Sequence, residues 1–306
     1  MSKRAMGAFL TIFGGACWGV SGSVGQYLFT RQGMDSRWLV PIRLGLAGIL
    51  LFLYCLVRYR SQLFAPWKSR RNAVDLLIYG VAGVSVCQFL YFLTIQLSSA
   101  GTATILQDLS PIMILLCGCV SARRFPRAFE WVSIVLALSG VLLLTTHGSL
   151  GSFAVSPAAL LTGVLSAVCV TIYNVEPKRL LRQFPVAVLQ AWAFLMGGVL
   201  FSLAFRPWSF GYVPNFKGLL GIVFVVVVGN ILAFMSFMSG VKLIGPERSI
   251  LYGFSEPITA ALISTLVLGS SFTLWDAVGF AAVFAMLVLI SAAPQADAKT
   301  ISSTAV

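Results

Sequence analysis

The sequence predicts an all-α membrane protein: ten transmembrane helices, arranged as two inverted five-helix repeats around a central cavity, with both termini cytoplasmic. Three observations predict this. Of 306 residues, 58% are hydrophobic and 10% charged, and the mean hydropathy is +0.94. A soluble domain carries about 25% charged residues, so the bilayer is the expected solvent. The apolar residues gather into ten runs of the length that crosses a ~30 Å hydrocarbon core. The basic residues fall on one side of those runs.

The expected spans, in order, are 6–28, 37–57, 74–97, 102–121, 129–146, 157–175, 185–205, 218–241, 247–268 and 274–292. The first is long enough to span and lacks a small-residue exit site, so it reads as a helix and not a cleaved signal. The loops are short. Sixteen Lys and Arg fall on the side of Lys3 and Arg4; four fall on the other, namely Arg31, Arg37, Arg206 and Lys217. Positive charge stays in the cytoplasm, which orients both termini inward. The net charge of +12 is thus spread over loops and forms no nucleic-acid-binding face. Six cysteines, Cys17, Cys55, Cys87, Cys117, Cys119 and Cys169, all lie in apolar runs and read as small membrane residues. No metal site and no cofactor are implied.

The two halves match at an offset of 146: Gly83 with Gly229, Leu97 with Leu243, Pro111 with Pro257, Ile112 with Ile258. Trp131 and Trp275 match at 144. The expected units are residues 1–150, residues 151–293 and a disordered cytoplasmic tail, 294–306. Five is odd, so the second copy enters the membrane inverted. Inverted repeats of this kind build alternating-access carriers with a midplane site between the repeats.

Spans 4 and 9 each carry a proline and a carboxylate: "ILQDLSPIMILL" and "LYGFSEPITAAL". Proline removes the bond to the carbonyl four residues back, which frees Gln107 O at Pro111 and Gly253 O at Pro257. Asp108 lies ~9 Å and Glu256 ~14 Å into their spans at 1.5 Å per residue. A carboxylate at such depth costs at least ~2.5 kcal/mol, so both are expected to face the bundle interior or a wet cavity. Pro111, Gly253 and Pro257 are the expected hinges. Arg43, inside span 2, is the expected ion-pair partner. Other expected cavity residues are Trp18, Ser21, Ser85, Gln88, Tyr91, Gln107, Asn230 and Tyr252. Ser85, Gln88 and Tyr91 share one helical face by their three-residue spacing. Tyr173 and Trp192 also fall inside spans, as packing or interfacial aromatics.

An intramembrane protease is the enzyme to exclude. "GVSG" at 19–22 offers Ser21 as a nucleophile, but His147, the one histidine, lies past the end of span 5. The depths differ by too much for a hydrogen-bonded dyad.

"GACWGVSGSV" in span 1, "WLVPIRLGLAGILLFL" in span 2 and "ATILQDLSPIMILL" in span 4 resemble the drug/metabolite transporter superfamily of EamA-type exporters. The resemblance covers residues 6–292, and within it the closest likeness is to bacterial aromatic amino-acid exporters. It implies a basket of helices with spans 5 and 10 peripheral and spans 3, 4, 8 and 9 near the path. The expected protein is a bacterial inner-membrane carrier, not an enzyme, that exports amino acids across the lipid bilayer; a monomer is one expected state, and the sequence leaves oligomeric state open. The alternative is a proton-coupled multidrug or other metabolite carrier on the same fold. One departure is that Ser110 stands where the second half has Glu256, so a mechanism needing one carboxylate per repeat does not carry over.

In a variant stripped of native cysteines, Gly33→Cys and Ser149→Cys are expected to react with an impermeant reagent outside intact cells, and Ser69→Cys is not. External labelling of Ser69→Cys would reverse the orientation.

Overall fold

The computed structural model describes residues 2–121, 123–146, 155–175, 177–267, 269 and 273–292. His147, Ser149 and the expected tail, 294–306, lie outside them. Among the described residues the chain is all helix. The long elements are α1 (Lys3–Gln32), α2 (Ser36–Arg58), α3 (Arg70–Leu97), a split α4 (α4a, Ala100–Gln107; α4b, Ser110–Ser121), α5 (Ala128–Thr146), α6 (Pro157–Val175), α7 (Val186–Phe205), α8 (Phe216–Ile244), a split α9 (α9a, Pro246–Gly253; α9b, Ser255–Leu266) and α10 (Leu274–Ala292). Seven of these segments are long and apolar enough to cross a membrane: α1 to α4 and α6 to α8. Ala128–Leu143 and Leu274–Met286 are shorter apolar helices.

Local chemistry sets the ends. Ser2 caps α1 through Ala5 N–H, and Gly33, at φ +66°, closes it in the left-handed region. Asp35 caps α2 and also grips the Arg37 side chain at 2.9 Å. That guanidinium holds the Asp35 carboxyl below the usual carboxylate range. The Arg127 N–H donates to Glu130 at 2.6 Å to open α5, and the Thr273 N–H donates to Asp276 at 2.8 Å to open α10. Both are the return half of a capping box, in which an acid at the third helical residue reaches back to the cap. The two caps are 146 residues apart, in step with the prolines. The Trp131–Trp275 match at 144 is therefore out of register: Trp131 follows its cap acid and Trp275 precedes its own.

A second shared feature has no counterpart in the residue pattern. α3 and α8 each carry a π-helical stretch in mid-span, Ile78–Ser85 and Val225–Leu232, 147 residues apart. Ser85 closes the first by donating to Gly80 O at 2.6 Å, with Ala193 O at 3.0 Å.

Packing repeats the same symmetry. α1 lies against α8 and α9b, and α6 lies against α3 and α4. α2 pairs with α7, and α5 with α10. Under a two-fold that exchanges α1–α5 with α6–α10, each pairing maps onto another or onto itself. One large apolar core runs through α1, α2, α3, α6, α7 and α8; a smaller one lies under α4, α5, α9 and α10. Leu53, Val57, Leu203 and Val223 point outward, as a lipid-facing surface requires.

The α1 interface is glycine-lined because backbones meet there. A Cβ on Gly14 would come under 3.0 Å from Ala233 O and Phe237 N, and one on Gly19 under 3.0 Å from Glu256 O and Ala260 N. Small residues at such contacts are the usual route to close helix association in lipid. Gly19→Ala is therefore expected to destabilise the purified protein by about 1–3 kcal/mol. Gly45→Ala, where nothing lies within 4 Å of the added carbon, is expected to be neutral. Equal thermal midpoints for the two variants would show that the α1–α9b contact is looser than described.

Candidate functional site

The prolines do not bend continuous helices. Pro111 is the second residue of α4b and Pro257 the third of α9b, each just past a break at 108–109 and at Phe254. The reason is that first-turn N–H groups have no intrahelical partner, so proline costs nothing there. Gly253 ends α9a, and the break follows it. The sequence expectation of mid-helix bends is corrected to two pairs of half-helices. α4a packs against α9b, which brings the breaks together near the centre of the bundle.

A small cavity sits at this junction. Trp18, Ser21, Gln88, Tyr91, Gln107 and Glu256 line it, together with Arg43. Its free volume is about 20 Å³, room for about one water. Glu256 projects from the first turn of α9b, where the helix dipole favours negative charge. Tyr91 on α3 donates to Glu256 Oε1 at 3.2 Å. Thr104 on α4a lies 3.0 Å from the same Tyr91 hydroxyl and bonds Ala100 O at 2.8 Å. The chain Thr104–Tyr91–Glu256 thus ties α4a, α3 and α9b. Gln107 Nε2 donates to Cys87 Sγ at 3.2 Å. The Trp18 ring sits 4.7 Å from both Phe234 and Phe237, and its Nε1 is buried with no partner.

Four expected cavity residues are elsewhere. Ser85 is spent on the π-turn described above. Asn230 lies within the π-stretch of α8, fully buried, with both side-chain polar atoms unpartnered. Tyr252 is 38% exposed on α9a, because the break at Phe254 turns that half-helix away from the cavity. Asp108 sits in the α4 break and lines a separate, apolar cavity of about 320 Å³ with Pro257, Phe254 and Phe284. Among the described residues Arg43 pairs with no carboxylate; its guanidinium lies over the Phe92 ring, 3.6 Å from the centroid. At 1% exposure it does not reach the membrane surface.

Cys87, Phe92, Tyr173, Gly229 and Phe234 also line the central cavity. Gly229 was legible as the repeat mate of Gly83. The others carry no signal that separates them from packing residues.

The sequence model of the EamA-like transporter family matches residues 5–146 and again residues 157–292. The uncharacterized inner membrane transporter YicL of Salmonella typhimurium is 32% identical over 95% of this chain and 97% of its own. The uncharacterized inner membrane transporter YedA of Escherichia coli K12 is 26% identical over 86% of this chain and 85% of its own. The uncharacterized transporter YwfM of Bacillus subtilis is 22% identical over 91% of each. A protein of known crystal structure superimposes with a TM-score of 0.64 at 18% identity, covering 94% of this chain and 96% of that one, which supports the fold.

Among the described residues Tyr91 is the donor that reaches Glu256, so Tyr91→Phe is expected to lower stability by about 0.5–1.5 kcal/mol, the net contribution of one hydrogen bond to a part-buried acceptor. Thr104→Val should cost less, because Glu256 keeps its donor. Denaturation of the detergent-solubilised variants checks the order. A Tyr91→Phe protein as stable as wild type would mean that Glu256 finds another partner.

Proposed function

This chain belongs to the EamA-like transporter family, and on that premise we propose that it exports small amphipathic metabolites, foremost amino acids with large apolar side chains, by alternating access around the central cavity. Its place is the bacterial cytoplasmic membrane, which it crosses several times. We take the ten helical segments as ten spans, with both termini inside and the repeats inverted. The charge bias and the two-fold packing support that arrangement.

One observation carries the reading. The polar cavity lies where two broken helices, one from each half, meet. In carriers built from repeats, half-helix ends at the midplane supply charge and unpaired backbone groups to the cargo. Here Glu256 at the start of α9b offers an acceptor for an ammonium, and Gln107 at the end of α4a offers a side-chain amide. Trp18 and Tyr91 offer flat faces to an aromatic side chain. At about 20 Å³ the cavity holds no amino acid, so in this reading the structure is a closed state that must part to load.

The test is counterflow of labelled phenylalanine in proteoliposomes, competed by unlabelled amino acids, sugars and cationic drugs. Large apolar amino acids are expected to compete and sugars are not. Competition by cationic drugs alone would favour a multidrug carrier on the same fold. Glu256→Gln is expected to slow counterflow at least about tenfold, since a hydrogen bond to a charged group contributes about 1.5–3 kcal/mol. Wild-type rates in that variant would remove Glu256 from the site. Pro111→Ala and Pro257→Ala are expected to slow transport severalfold with little change in binding, by releasing the φ that each proline fixes in the first turn after its break. Unchanged rates in both would mean that the breaks have no part in gating.

A further inference from the structure

Arg43 is a charged side chain of the cavity with no part in the transport role proposed above. It is the eighth residue of α2, ~12 Å from the start of that helix at 1.5 Å per residue. Its side chain is 1% exposed, and among the described residues its Nε and Nη1 have no hydrogen-bond partner. Among the same residues no salt bridge to it is found. Phe92 covers one face of the guanidinium at 3.6 Å, a favourable contact that compensates part of the charge but accepts no hydrogen bond along the N–H edge. Arginine stays protonated in proteins, so this is a permanent buried cation with open donors. Leaving such a group uncompensated costs several kcal/mol, and a chain retains one where a partner arrives from outside.

We propose that Arg43 is the anion-binding residue of the cavity and takes the carboxylate of the cargo. The inference rests on the transport role proposed above and narrows its cargo to carboxylates, zwitterions first. Three features select that class. The planar guanidinium edge matches a carboxylate with two parallel bonds. Phe92 fixes the plane of the fork, so the donors are oriented before the ligand arrives. Glu256 lines the same cavity, so a dianionic phosphate would meet an acidic side chain where it needs a second cation, while the ammonium of a zwitterion meets an acceptor there. A simple amine satisfies Glu256 and leaves Arg43 open.

The test uses three probes on the purified, full-length protein: L-phenylalanine, 3-phenylpropionate and phenethylamine, with binding read by thermal shift. Wild type should be stabilised by the two carboxylates. Arg43→Gln should weaken both by about thirtyfold or more and change phenethylamine less than about threefold. Arg43→Lys, which keeps the charge and loses the fork, should fall between; it also keeps the test valid if Arg43→Gln does not fold. Carboxylate binding unchanged in Arg43→Gln, or no carboxylate binding by wild type, overturns the proposal. So does rescue of Arg43→Gln by Glu256→Gln, which would make the two residues each other's partners in another conformation. Carboxylate binding through Arg43 with no counterflow of any amino acid supports the anion site and sinks the amino-acid reading instead.

Discussion

Hydrocarbon offers no hydrogen bonds, and the rest of this structure depends on that constraint. A helix that breaks inside a bilayer exposes carbonyls and N–H groups that only protein or trapped water can satisfy. The breaks in α4 and α9 therefore have to be surrounded, and they are: α4a and α9b pack on each other, α1 backs α9b, and α6 backs α4. The same demand explains smaller features. Gln26, buried in α1, accepts from the Ala100 N–H at 2.9 Å and so caps the first turn of α4a. Ser255, at the start of α9b, donates to Ile12 O at 2.8 Å.

Duplication then fixes where the exceptions occur. The half-helices, the π-stretches and the capping acids recur at offsets of 145 to 147, so each irregularity in one half has a mate in the other. The mates share backbone and differ in chemistry. Ser85 uses its hydroxyl to close one π-turn, while Asn230 stands unpartnered in the other. Glu256 follows one break, while Asp108 sits within the other and faces a different, apolar cavity. A symmetric scaffold thus holds an asymmetric site, with its one carboxylate supplied by the second half and its one cation by the first.

Seven of the expected spans and the two-repeat fold were legible because both follow from composition and spacing, which the bilayer enforces directly. The site was legible in part. Ser21, Gln88, Tyr91, Gln107 and Glu256 stood out as polar groups at depth, and they meet at the cavity. Depth alone could not say which face a residue takes, and this misdirected Ser85, Asn230 and Tyr252. The π-stretches rotate the helix relative to an ideal α register, and no residue pattern announces them. Proline was an uncertain guide as well. Pro41 lies inside an unbroken α2, whereas Pro111 and Pro257 each follow a break, and only the second break has a glycine, Gly253, beside it. Arg43 was visible as an intramembrane charge, and its expected carboxylate partner proved to be an aromatic ring.

The central claim is that the cavity between the two breaks opens in turn to each side of the membrane. Cys87 lines that cavity and is 3% exposed, so it serves as a native reporter. The decisive measurement is the rate at which an impermeant thiol reagent modifies a variant retaining Cys87 alone, applied from each side of oriented vesicles, with and without phenylalanine. Alternating access predicts modification from both sides, slowed by phenylalanine. No modification from either side in a protein that transports, or modification that phenylalanine leaves untouched, would contradict the account.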